Sequence, residues 1–320
     1  MSLRIGLIVN PLSHTVQRNG SILERVHGGL KDSSLICIDD FAALPAQIAR
    51  LAGEGVSAAI IEGGDGTLQA VLSAWPGLET EGASLPDFAI LPGGSTNLAS
   101  KIAGLRRRTA NDVADYLSAY RGGAPVTRTS LRALRVDADS FAKPLIGMLL
   151  STGSLARAMI YTQQQIHGEG HRGSLAVAEA AVRFVLTPEA YLDVDGAPLL
   201  RPSELGVQSA SFQMQGNHAL SLMTTLPSLS LGLNPFWGNG TGAIAFTHAA
   251  WPISGFRGAF LKILAGPTGP QMARHGLTSY RSDALELTPS SAVVLDGELL
   301  HLSANARIRI TPTLPIQFLR

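Results

Sequence analysis

Residues 60–75 read IIEGGDGTLQAVLSAW, and residues 89–100 read AILPGGSTNLAS. Each stretch leaves a short apolar run, crosses a Gly-Gly pair with a hydroxyl close behind it, and resumes an apolar pattern at helical spacing with no room for a loop. Gly63 and Gly93 stand 30 residues apart, the length of one strand–helix–strand unit. Two parallel strands joined in that way end at the same edge of a sheet, and ligands of open α/β sheets bind beyond that edge. Glycines there let backbone N–H groups approach an anion, and the helices that follow direct their positive ends toward it. Thr67, Ser95 and Asn97 add side-chain donors.

The surrounding pattern supports such a sheet. Arg4–Val9, Ser34–Ile38, Val56–Ile61 and Phe88–Leu91 are bounded apolar runs of the kind that strands buried on both faces require. Helical spacing occupies Ser21–Leu30, Ala43–Gly53, Thr67–Ala74 and Asn111–Tyr120, the last with Asn111 as the expected N-cap and Gly122-Gly123 as the stop. Regular alternation of the two predicts an α/β domain, a doubly wound parallel sheet over residues 1–124. Beyond about Thr127, strand-like segments appear at Arg132–Val136, Pro144–Leu150, Tyr191–Val194, Val207–Met214, Leu285–Leu287, Ala292–Leu295 and Arg307–Ile310. Gly, Pro, Asn and Ser turns separate them. With one inserted helix at Leu175–Leu186, they predict a β-rich, sandwich-like domain over residues 125–307, after a linker at Gly122–Pro125.

Composition excludes several classes. A chain of 320 residues, 45% hydrophobic and 15% charged, has the material for two cores and is not disordered. A formal net charge of +1 offers no electrostatic footprint for nucleic acid. Cys37 is the only cysteine, which removes intrachain disulfides and cysteine zinc sites. No eighteen apolar residues run together, and Leu3–Val9 is too short for a signal peptide core. The expected location is cytoplasmic, open to peripheral contact with a membrane. Arg106-Arg107-Arg108 fits a solvated helix end or an anionic partner such as phosphate.

Asp65 is the odd member of the first turn, because an acid repels phosphate unless it holds a metal, accepts from a ribose hydroxyl or orients a donor. The alternative is a cap on the helix that follows. The chain has no Gly-Lys pair and so no Walker A loop, nor does a G-x-G-x-x-G follow a strand. Near the end, Asp296-Gly297 between two apolar runs is a hairpin signal, and the carboxylates of Asp296 and Glu298 could divide base and metal duties.

Four motifs in order resemble the superfamily of diacylglycerol kinases, sphingosine kinases and bacterial lipid kinases: IVNPLS (Ile8–Ser13), GGDGT (Gly63–Thr67), LPGGSTN (Leu91–Asn97) and VVLDGELL (Val293–Leu300). GGDGT is also found in NAD kinases and phosphofructokinase-like enzymes, but the first and last motifs favour the lipid kinases. The resemblance implies an α/β nucleotide-binding domain to which residues 308–320 return, a β-rich second domain, and an active site in the cleft between them. It implies ATP and Mg²⁺ as cofactors and a lipid or other alcohol as substrate. Asn10, Ser13, Gly63, Gly64, Asp65, Gly66, Thr67, Gly94, Ser95 and Asn97 would surround the nucleotide, and Asp65, Asp296 and Glu298 would line one cleft as catalytic residues.

The chain departs from the family where Leu98 replaces an Asp, where Asp39-Asp40 replaces a Thr, and at Gly238–Pro252. That last stretch has no acid where relatives carry a structural metal, and no metal ligand is assigned. A binding protein that has lost catalysis and, less favoured, an NAD kinase are the alternative readings. Homo-oligomers remain open. His167, Glu169 and His171 alternate in a Gly-rich stretch that reads as a surface loop, with a metal cluster as the less favoured reading.

Overall fold

The computed structural model describes residues 3–78, 80, 82–94, 97–106, 109–161, 187, 190–193, 195–229, 233–265 and 268–320. The chain divides into two units, Met1–Arg132 with Thr313–Arg320, and Ala133–Pro312. The first contains β1 (Ile5–Val9), α1 (His14–Asn19), α2 (Ile22–His27), β2 (Ser33–Cys37), α3 (Leu44–Gly53), β3 (Ala58–Gly63), α4 (Asp65–Ala74), β4 (Asp87–Pro92), α5 (Leu98–Ala103), α6 (Ala110–Arg121), β5 (Arg128–Leu131) and, from the far end of the chain, β17 (Ile316–Leu319). Its sheet runs β2-β1-β3-β4-β17-β5. Every neighbour is parallel except β5, which pairs antiparallel with β17.

Both faces of this sheet are covered, as the continuous apolar runs require. Ile5, Leu7 and Val9 belong to one buried cluster with Leu23 and Val26 of α2 and Val113 and Leu117 of α6. Between them, a methyl group on Gly6 would stand 2.6 Å from Leu51 of α3. A polar clamp closes the β4 side: Tyr120 Oη lies 2.9 Å from Asp87 Oδ2 and 3.0 Å from the Ser57 carbonyl, while Arg128 pairs with Asp87 at 2.7 Å. Two details differ from expectation. The short polar helix α1, which buries only Val16, gave no apolar period to detect. The cap of α6 is Thr109, whose Oγ1 accepts from Asp112 N–H at 3.1 Å, and Asn111 lies inside the helix.

The second unit contains β6 (Leu134–Ala138), β7 (Leu145–Gly147), β8 (Leu149–Gly153), α7 (Ser154–Tyr161), β9 (Ser203–Gln208), β10 (Gln213–Thr224), β11 (Ile244–Ala250), α8 (Phe256–Ala265), β12 (Leu277–Ser282), β13 (Leu285–Pro289), β14 (Val293–Leu295), β15 (Glu298–Leu299) and β16 (Ile308–Pro312). The main path is β15-β14-β8-β10-β9-β13-β16-β6-β7, with β11 joining β10 to β12. Its ladders are antiparallel, over a core that includes Leu150, Val207, Phe246, Leu285 and Ile308.

Val207–Met214 is two strands, because Ser209 Oγ accepts from the N–H groups of Ser211 and Phe212 and folds the chain back. Around Tyr191 the described residues form only an isolated Leu192–Pro198 bridge. The strands β11 and β12 were not expected. The helix expected at Leu175–Leu186 and the His167, Glu169, His171 set lie outside the described residues.

Candidate nucleotide site and carboxylate hairpin

The parallel strands β1, β3 and β4 end side by side, and their hydrogen bonding continues past the strands. Asn10 N–H donates to the Glu62 carbonyl at 3.0 Å, and Gly93 N–H donates to the Gly63 carbonyl at 2.8 Å. The two glycine turns therefore meet backbone against backbone. A methyl group on Gly94 would stand 2.6 Å from the Gly64 Cα, and one on Gly93 would stand 2.8 Å from Ser13 Oγ. None of these glycines has positive φ, so close approach alone excludes a side chain here. Gly64 is the N-cap of α4 and supplies no side chain to cap the first-turn amides of Asp65, Gly66 and Thr67. Such an end is suited to an anion.

Asp65 does not cap the helix it opens. Its Oδ2 accepts from Leu98 N–H at 2.8 Å and its Oδ1 from Ala99 N–H at 3.2 Å, so it caps α5, which begins beyond the other turn. One carboxylate thus ties the two turns together. Burial pushes the Asp65 carboxyl above the usual range, against the two amides and the nearby Lys101 charge, which pull it down.

Around this brace, Asn10 Nδ2 donates to Thr67 Oγ1 at 2.8 Å, Asn10 Oδ1 accepts from Leu12 N–H, and Ser13 Oγ donates to the Asn10 carbonyl. Thr15 N–H reaches the Gly93 carbonyl at 2.9 Å. Asn97, with φ of 51°, accepts from Gly94 N–H at 2.9 Å and donates back to the Gly94 carbonyl. Asn10, Ser13, Gly63, Gly64, Asp65, Gly66, Thr67, Gly94 and Asn97 thus gather at one edge of the first sheet, and Ser95 lies outside the described residues.

In the second unit, Asp296 and Gly297 are the two central residues of the turn joining β14 to β15, with φ of 49° and 96°. Positive φ at both positions is the two-residue hairpin geometry that Asp-Gly favours. Asp296 Oδ2 accepts from Met148 N–H and Oδ1 from Leu149 N–H, both at 2.8 Å, which clamps the turn onto the start of β8. Glu298 is exposed.

The model of the diacylglycerol kinase catalytic domain matches residues 4–124, a span holding both glycine turns. That span is similar to a diacylglycerol kinase catalytic domain. Solved structures share the fold of the whole chain. A diacylglycerol kinase from Bacillus anthracis str. Sterne aligns at 13% identity and a TM-score of 0.58, covering 96% of this chain and 93% of that one. Two structures of a candidate diacylglycerol kinase from the same organism align at 14% and 13% identity, with TM-scores of 0.62 and 0.60; both cover 96% of this chain, and 93% and 94% of theirs. No curated protein sequence matches. Among the described residues no helix is long and apolar enough to cross a membrane.

Within residues 4–124, sequence reasoning missed Glu62. Its side chain is buried, and it accepts from Ser21 Oγ at 2.6 Å, Ile22 N–H at 2.9 Å and Leu23 N–H at 3.0 Å, which fixes α2 to the end of β3. An acid inside a run expected to be buried on both faces must find donors, and that was the available signal. The stretch Gly238–Pro252 is largely the strand β11, and among the described residues no three His, Cys, Asp or Glu side chains cluster as a metal site.

Proposed function

We propose that this protein is a kinase that transfers the γ-phosphoryl group of ATP, with Mg²⁺, to the hydroxyl of a lipid. The observation that carries the reading is the contact of the two glycine turns beside the start of α4, whose N-cap has no side chain, inside a domain whose family model is that of a kinase. The turn amides, Asn10, Ser13, Thr67, Ser95 and Asn97 bind and orient the phosphates. Asp65 keeps the turns in register and holds its carboxylate beside them. Because clustered protein ligands for a cation are absent among the described residues, Mg²⁺ would rest mainly on phosphate oxygens with Asp65 near it, and would supply charge neutralisation.

In this reading the Asp296–Glu298 hairpin supplies the general base. One of its carboxylates takes the proton of the acceptor hydroxyl as that oxygen bonds to phosphorus and the bond to the departing ADP oxygen breaks. Cytoplasmic location, transient contact with a membrane surface and a diacylglycerol-like or sphingoid acceptor belong to the same proposal.

The test is transfer from labelled ATP to diacylglycerol, a sphingoid base, ceramide and a total lipid extract, beside calorimetric ATP binding. Phosphorylation of one acceptor class, lost in Asp296→Asn or Glu298→Gln, is expected. Tight ATP binding without transfer to any acceptor would make the chain a binding protein, and no ATP binding would overturn the nucleotide assignment itself.

A further inference from the structure

A cationic cavity lies beyond the end of β4, on its β17 side. It measures about 570 Å³, and Asn97, Ser100, Lys101, Gly104, Arg106 and Arg320 contribute to its walls. In the order β3-β4-β17, the Gly63–Thr67 turn stands on the β3 side of β4, whereas Arg320 follows β17 on the opposite side. Among the described residues three positive side chains line this cavity and no acidic side chain does.

The three cations come from separately anchored segments. Lys101 is on α5, whose start Asp65 holds. Arg106 follows a chain pinned by Gly104 N–H to the Ser100 carbonyl at 2.8 Å and by Leu105 N–H to the Ile90 carbonyl at 2.9 Å. The main chain at Arg320 is held by its N–H to the Thr127 carbonyl at 3.0 Å. Elsewhere in this unit arginines meet acids, as in Arg121 with Asp32 and Arg128 with Asp87. Among the described residues Arg106 and Arg320 enter no ion pair. Anchored like charges around a cavity of small-molecule size repel one another until an anion arrives, and a guanidinium fork fits phosphate oxygens in pairs.

We propose that this cavity is a phosphate-binding site adjoining the second glycine turn, with which it shares Asn97, and that its cations take the phosphate group either of a soluble phosphomonoester or of an anionic phospholipid headgroup. The proposal does not depend on catalysis. Its test uses the full chain with saturating ATP, so that the glycine turns do not compete. One arm titrates inorganic phosphate and glycerol 3-phosphate by calorimetry. The other measures flotation with vesicles of phosphatidylcholine, with and without phosphatidylglycerol, at two salt concentrations.

Wild type is expected to bind in at least one arm, salt-dependently. Arg106→Gln with Arg320→Gln should bind about tenfold more weakly, while ATP affinity stays unchanged. Binding in the soluble arm alone names the phosphomonoester, and binding in the vesicle arm alone names the headgroup. Should the double variant melt early, the exposed single change Arg106→Glu serves in its place. Failure of wild type in both arms, or full binding by the folded variant, overturns the site.

Discussion

Gly94→Ala tests whether contact between the two turns makes the site. The added methyl would stand 2.6 Å from the Gly64 Cα and 3.3 Å from Asn97 Oδ1. The first neighbour is backbone and cannot rotate away. Restoring ordinary contact requires the turns to part by about 1 Å, which stretches the 2.8 Å Gly93–Gly63 hydrogen bond out of range. Overpacking costs about 1–3 kcal/mol, and the lost bond adds about 1 kcal/mol. In a unit of roughly 140 residues each kcal/mol lowers Tm by ~3–4 °C, so a fall of about 6–16 °C is expected. A shift of ~1 Å in phosphate donors should weaken ATP binding or turnover by about a hundredfold. The assay is thermal melting with ATP calorimetry, and Gly53→Ala is the control, since a methyl there meets nothing within 4 Å. If Gly94→Ala melts with the control and binds ATP as wild type does, the turns are not a contact-built site.

Asp65→Asn should lose turnover at least tenfold and cost only about 1 kcal/mol of stability at pH 8, since its amide oxygen can keep one of the two N–H bonds that the carboxylate accepts. Its folded carboxyl titrates above its unfolded value, so the contribution of this group to wild-type stability is complete below the unfolded value and is lost as pH rises through the folded value, a loss the asparagine variant lacks. Equal lipid phosphorylation by the two proteins would remove Asp65 from the mechanism. Tyr120→Phe removes the phenol held by Asp87 and Ser57 and should cost about 1 kcal/mol at neutral pH. Burial first, and the Asp87 hydrogen bond second, push that phenol up to about 12. Its contribution is therefore complete below pH 10 and disappears between pH 10 and about 12, so melting curves of the two proteins should converge there; a constant gap would contradict the clamp.

The first sheet was legible because β1, β3 and β4 are buried on both faces, which leaves unbroken apolar runs between glycine and polar boundaries. The glycine turns were legible for a related reason, since no ordinary connection needs so many glycines beside a helix start. Pairings between distant residues were not. Asp65 meets Leu98 and Ala99, 33 and 34 residues away, and nothing in its local sequence distinguishes a cap on α5 from one on α4. In the second unit, the β9–β10 hairpin was hidden because its turn, Ser209-Ala210-Ser211, contains no Gly, Pro, Asn or Asp. β11 was hidden because Ala245, His248, Ala249 and Ala250 dilute its β-branched and aromatic residues.

The position of β17 bears on how the chain can be made. It supplies Phe318, fully buried, between β4 and β5, yet roughly 185 residues separate it from β5. During synthesis at ~5–20 residues per second, β4 and β5 emerge with no strand between them and wait about 10–40 s for their shared neighbour. Through that interval two unpaired strand edges are open to any extended segment nearby. The first unit is thus sequentially early but topologically late, and it reaches its native pairing only after the second unit has been synthesised.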